Sequence, residues 1–161
     1  MNQRAWLRLG AKTLHDVASI GFGGALAACL VINLTANVAA PAEFLSAREV
    51  FSAIARYLLI PSLAVSMLSG LIALTATRGY RDAGWAWLKA ALGMSVFVAT
   101  LMVAGSAGPH GELAAAASAG DLATVQRLLH AERLTLWLLI VLGVANVVLA
   151  VWRPRLIVKI R

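Results

Sequence analysis

Charge is scarce in this chain. Only 13% of its residues are Asp, Glu, Lys or Arg, while 61% are hydrophobic, and a water-soluble domain of this length needs a larger polar share to cover its surface. Acids are scarcer still, seven against fourteen bases. There is a single cysteine, Cys29, which has no disulfide partner in the chain and says nothing about redox compartment. No serine triad, zinc-ligand spacing, phosphate-binding glycine loop or carboxylate pair appears in the apolar stretches, so conventional hydrolase and nucleotide chemistry is unsupported.

What the chain has instead is apolar length. Four runs carry no charged side chain, at 17–42, 57–77, 90–111 and 134–152, each close to or above the roughly 20 residues that cross a hydrocarbon core as helix. Backbone amides in hydrocarbon must be paired internally, so helices rather than open strands are expected. The expectation is one all-α domain, a four-transmembrane-helix bundle with helices at about 13–38, 52–77, 84–107 and 131–152.

The net charge of +7 could point to nucleic acid, but its distribution points to a lipid bilayer. Arg4, Arg8, Lys12, Arg78, Arg81, Arg153, Arg155, Lys159 and Arg161 fall on one side of a four-pass chain, against Arg48, Arg56, Arg127 and Arg133 on the other. That asymmetry puts both termini in the cytoplasm. Glu43, Glu49, Glu112, Asp121 and Glu132 sit on the far side, and Trp6, Trp85, Trp87 and Trp152 stand at the expected interfaces. Leu26-Ala27-Ala28-Cys29 and Asn37-Val38-Ala39-Ala40 are similar to signal cleavage sites. The apolar run continues past the first without a polar mature segment, so an uncleaved span is expected.

The first outer loop, PAEFLSAREVFSAIAR, has the amphipathic pattern of a short interfacial helix. The third, which contains AAAASAGDLATVQRLL, is similar to the helical part of one ankyrin repeat. Without a second copy to stack on, it reads as an alanine-rich outer helix with Asp121 capping the next turn. Small residues recur four apart at Ser19 and Gly23, and at Ser62, Ser66 and Gly70, the spacing that lets membrane helices approach closely. Pro61 is expected to bend the second helix and release a carbonyl.

Among groups that can carry chemistry, His15 stands out, an imidazole about one turn inside the first span, with Ser19 and Gly23 following on its face. A neutral imidazole is a metal ligand, and a small residue one turn on leaves room for a flat macrocycle. Lys89 enters the third helix at similar depth, with Gly93 one turn later. An ionisable group in a span marks a functional site, although a lysine there also snorkels to the headgroups. Asp16 points about 100° away from His15 and is placed to pair with Lys12. His110 and His130 lie in or beside the outer loop, on the other side of the membrane from His15. Asn33, Asn37 and Asn146 read as interhelical hydrogen-bonding groups. Cys29, Met67, Met94 and Met102 are soft donors for copper(I), but lack the paired spacing of a ligand path.

Several of these short motifs occur in a telling order: AKTLH opening the first helix, IPSLAVSMLSGL in the second, WAWLKAAL opening the third, Glu132 before the fourth and Arg153-Pro154 after it. Together they resemble the group of four-helix membrane proteins that includes the HemJ protoporphyrinogen oxidases, the CopD copper-resistance proteins and a branch of unknown function. The resemblance implies a bacterial inner-membrane protein with haem b or a porphyrin near its cytoplasmic side. His15 would be the metal ligand, Lys89 a second ligand or propionate partner, and Arg8, Lys12 and Arg81 would hold propionates. Gly21-Phe22-Gly23-Gly24 stands where HemJ-like chains have Trp-Phe-Ala-Gly, and their aromatic-proline-arginine run is absent, so the branch of unknown function fits best. Two other readings remain open: an accessory subunit packing against other membrane subunits or itself, without a cofactor, and a copper-transport protein resembling CopD.

Overall fold

The computed structural model describes residues 3–76, 79, 83–104 and 109–152, with side chains throughout except at 3–5, 7–8, 102–104 and 109–110. Arg81 therefore lies outside the described residues, as does the side chain of Arg8. Six α-helices account for nearly all of the rest: α1 (Gln3–Leu34), α2 (Pro41–Ile54), α3 (Ile60–Ala76), α4 (Gly84–Ala104), α5 (Pro109–Ser118) and α6 (Leu122–Trp152). Four stretches are long and apolar enough to cross a membrane, Leu9–Leu34, Pro41–Ala76, Gly84–Leu101 and Leu122–Trp152. The architecture is that of a small multi-pass integral membrane protein.

The helices outrun the spans that charge alone delimits. The first, expected over about 13–38, starts at Gln3, because arginines and lysines interrupt an apolar run without interrupting a helix. It stops at Leu34, since Asn37 turns the chain by accepting a hydrogen bond from the Ala39 N–H at 3.2 Å. The fourth starts at Leu122 rather than near 131. Its start is set by Asp121, whose Oδ1 accepts the Thr124 N–H at 3.1 Å. Bonding to the Thr124 side chain and backbone holds the Asp121 carboxyl below its usual range.

The second span and the first outer loop form one rod. Pro41 begins α2 at a position where a missing N–H is harmless. The helix then runs into α3 through a π turn at Ala55–Leu59, closed by the Ile60 N–H on the Ala55 carbonyl. That wider turn lies just ahead of Pro61, whose ring would otherwise press on the carbonyl four residues back. The bend expected at Pro61 is thus accommodated by a π turn, and α2 is continuous with the span.

In the bundle, α1 packs against α3 and α6, and α4 against the same two, so α1 and α4 face each other across the diagonal. The central core joins Phe22 and Leu26 of α1, Phe51 of α2, Leu63 of α3, Val96 of α4 and Leu139 of α6. Outward faces are apolar as well, with Ile20 75% exposed and Val151 70%, as lipid contact requires. Trp6, Trp87 and Trp152 are exposed too.

A second cluster caps one end of the bundle: Phe44 of α2, Leu113 and Ala116 of α5, and Val125 and Leu129 of α6. Here α5 and α6 form a hairpin. Gly120, at φ 73°, supplies the left-handed residue, and the Asp121 and Gly120 N–H groups close back onto Ala116 and Ala117. The ankyrin-like stretch is therefore a helix pair roofed by α2 instead of by another repeat.

Just beneath the cap lies a buried polar network. Arg48 of α2 donates two hydrogen bonds to Glu132 of α6, at 2.8 and 2.7 Å, with the two side chains 9% and 11% exposed. Its guanidinium also lies 4.2 Å from the Phe51 ring centroid. Asn33 of α1, fully buried, donates to Glu132 at 2.7 Å and to the Leu129 carbonyl at 3.1 Å, and accepts from Arg133 Nε at 3.0 Å. Removing one member of a buried ion pair strands the other, at a cost of about 3–5 kcal/mol, whereas replacing both by apolar groups is often near neutral. Arg48→Met is accordingly expected to lower the unfolding midpoint of the detergent-solubilised protein sharply, and Arg48→Met/Glu132→Met to recover more than half of that loss. A double variant as unstable as the single one would assign the effect to packing or to the Asn33 amide left without its Glu132 acceptor.

Candidate functional site

The inward stripe of α1 runs through Ala18, Phe22, Ala25, Leu26 and Cys29, all buried. His15 lies on the same stripe, one turn before Ala18, so the helical repeat turns its ring into the bundle. The ring meets α3. Nδ1 is 2.8 Å from the Ser66 carbonyl oxygen and 3.1 Å from Ser69 Oγ. A carbonyl oxygen can only accept, so Nδ1 carries a proton and, in the neutral ring, Nε2 carries the lone pair.

Two close approaches make this contact possible. A methyl group at Gly70 would stand 3.4 Å from His15 Cε1, so the imidazole rests against bare backbone. A methyl at Gly21 would stand 2.8 Å from Ser62 Oγ, so α1 and α3 approach closely there. Ser19 completes the seam, donating to the His15 carbonyl at 2.8 Å and meeting Ser66 Oγ at 2.8 Å.

The other expected site residues are placed as follows. Lys89 is half-buried on α4, and its ammonium makes no hydrogen bond or ion pair to a described residue. Asp16 of α1 is the acid that acts on its charge. Gly93, half-buried, and Gly23, exposed, each have open space where a methyl group would stand, with no atom within 4 Å. Gly23 faces outward and has no part in the His15 seam. Lys12 and Asp16 are both exposed and form no ion pair with each other.

A shallow apolar cleft of about 430 Å³ runs along α1 between Trp6, Leu9, Gly10, Thr13, Leu14 and Val17, on the face turned away from His15. Among the described residues, no three of His, Cys, Asp and Glu converge as a metal site. Of the soft donors, Cys29 is sealed in the core and Met94 is 45% exposed, and the side chain of Met102 lies outside the described residues. The Thr100 hydroxyl and the Asn146 amide oxygen are buried without hydrogen-bond partners among the described residues.

Sequence reasoning located His15, Ser19, Ser66 and Gly70, but not Ser69, which falls between the small residues of the ridge. It placed Arg48 on the polar face of an interfacial helix and Glu132 and Arg133 at the start of the fourth helix, without bringing them together. The available signal was Asn33, an amide in an uncharged run that demands partners at its own depth. Asn37 bonds only within its own turn.

Comparison with protein families, with curated proteins and with solved structures returns no match to this chain. The site therefore stands on its own geometry.

At Gly21 the neighbour is a serine oxygen that can rotate away, so Gly21→Ala is expected to be tolerated. Gly21→Val crowds the helices themselves and should destabilise by about 1–3 kcal/mol, as overpacking does. Unfolding midpoints of the two variants in detergent check this, and equal effects would show that α1 and α3 are not held together at this point.

Proposed function

We propose that the protein is a haem b or porphyrin binder of the HemJ/CopD-like group, seated in the bacterial inner membrane with both termini cytoplasmic, in which His15 would hold the metal through Nε2. The observation that carries this reading is the 2.8 Å contact of Nδ1 with the Ser66 carbonyl. Ligating histidines almost always donate their second ring N–H to a carbonyl or carboxylate, which fixes the ring and leaves the other nitrogen to the metal. Gly93, with open space beside it and half-buried on the diagonal helix, is compatible with a flat group between α1 and α4.

In this reading the chain's own residues bind and orient. His15 would hold the metal, and Lys89 would ligate it or pair with a propionate. Arg8, Lys12 and Arg81 hold propionates at the cytoplasmic interface. The bound group would supply one-electron transfer to or from a membrane-soluble partner. Copper movement is less well supported, because the Cys29 thiol is sealed in the core while Met94 is exposed.

A cofactor-free accessory subunit is the second reading. It is favoured by the outward glycines Gly23 and Gly24, where a methyl group would meet no described atom within 4 Å, leaving α1 open to a neighbouring helix. An absorption spectrum in detergent, with and without reductant, separates the two. A Soret band that His15→Ala abolishes supports the haem reading, whereas a colourless wild-type protein after expression with ample haem, retained on a membrane partner, supports the accessory one. For topology, a reporter fused after Arg161 should be active only in its cytoplasm-dependent form.

A further inference from the structure

We infer that Ser69 is a positioning residue for His15, closing a hydrogen-bond circuit with Ser19 and Ser66 that fixes both the protonation pattern and the plane of the imidazole. The directions of the bonds follow from counting protons. The Ser19 hydroxyl donates to the His15 carbonyl at 2.8 Å. Its only hydrogen is then spent, so in the 2.8 Å contact between the two hydroxyls Ser66 is the donor. Ser66 Oγ, at 3.5 Å from Nδ1, has no hydrogen left for the ring.

The Ser69 hydroxyl points at the carbonyls of Val65 at 2.7 Å and Ser66 at 3.0 Å. Towards Nδ1, 3.1 Å away, it can only accept. Every neighbour of Nδ1 is therefore an acceptor, and the tautomer with its proton on Nε2 is excluded. The Nδ1 proton is shared between the Ser66 carbonyl and Ser69 Oγ, two acceptors three residues apart on α3. One acceptor fixes which nitrogen is protonated, and the second fixes how the ring is turned about its bond to Cβ. With Gly70 beneath Cε1, Nε2 is presented in one direction.

The protonation pattern rests on hydrogen bonds alone. Its meaning for an axial ligand rests on the haem reading above, in which two acceptors on Nδ1–H make the ring a stronger donor to a metal.

The test uses the full chain in detergent with ¹⁵N-labelled histidine, His15 being assigned by the signal lost in His15→Gln. At alkaline pH, without haem, the expected spectrum has a protonated Nδ1 and a lone-pair Nε2. Ser69→Ala should keep that pattern but speed exchange of the Nδ1 proton ~5–10-fold, as loss of one neutral hydrogen bond does, and Ser69→Thr should restore it. A purely structural role would leave the exchange unchanged. With haem added, Ser69→Ala should shift the reduction potential upward and Ser69→Thr should not. A wild-type ring protonated on Nε2, or exchange indifferent to Ser69→Ala, overturns the inference even if a Soret band is present. The expected nitrogen pattern and exchange in a protein that never takes up haem upholds the positioning role and defeats only the haem reading.

Discussion

Hydrocarbon offers no hydrogen bonds, so a polar side chain carried into the spans bonds either to its own helix backbone or to a partner on another helix, or it is costly. This constraint orders the structure. His15 is held by two groups on α3, Asn33 by Glu132 and the α6 backbone, and Arg48 by Glu132 across the bundle. Each bond crosses between helices, so satisfying polarity and choosing helix neighbours are the same event. The outcome is two polar layers, one by the termini and one below the cap, separated by an apolar waist of Phe22, Leu26, Leu63, Val96 and Leu139.

The layers differ in character. Under the cap the Arg48–Glu132 pair is nearly sealed, the state in which a buried pair fixes geometry more than it adds stability. Near the termini the groups are only partly satisfied. Nε2 of His15 and the Lys89 ammonium have no partner among the described residues. A closed layer suits a structural role, and an open one suits a ligand. That contrast, more than the identity of either residue, locates the candidate site.

The bundle could be read from the chain because hydrophobic length is a one-dimensional property. Four uncharged runs need no knowledge of what packs where. The helix limits were harder, since Gln3 to Lys12 and Leu122 to Arg133 are polar enough to leave the membrane yet remain helical. His15 was legible as an ionisable group at unexpected depth. Its true neighbours were not, because the sequence ranks small residues by spacing, and Ser69 and Ser66 reach the ring through a rotation of α3 that spacing does not encode. Arg48 and Glu132 lie 84 positions apart, and nothing local to either announces the other.

The π turn at Ala55–Leu59 has a consequence for phase. Phe51, Ala55, Leu59 and Leu63 recur every fourth residue and yet all reach one core, although an ideal α-helix drifts by about 40° over each such step. The wide turn absorbs the drift, so that Arg48 upstream and Ser66 downstream each meet the right neighbour. Shortening this stretch by one residue would rotate the cap against the span by about 100° while leaving composition almost untouched. Side chains here can vary more freely than the count of residues between the cap arginine and the seam serines.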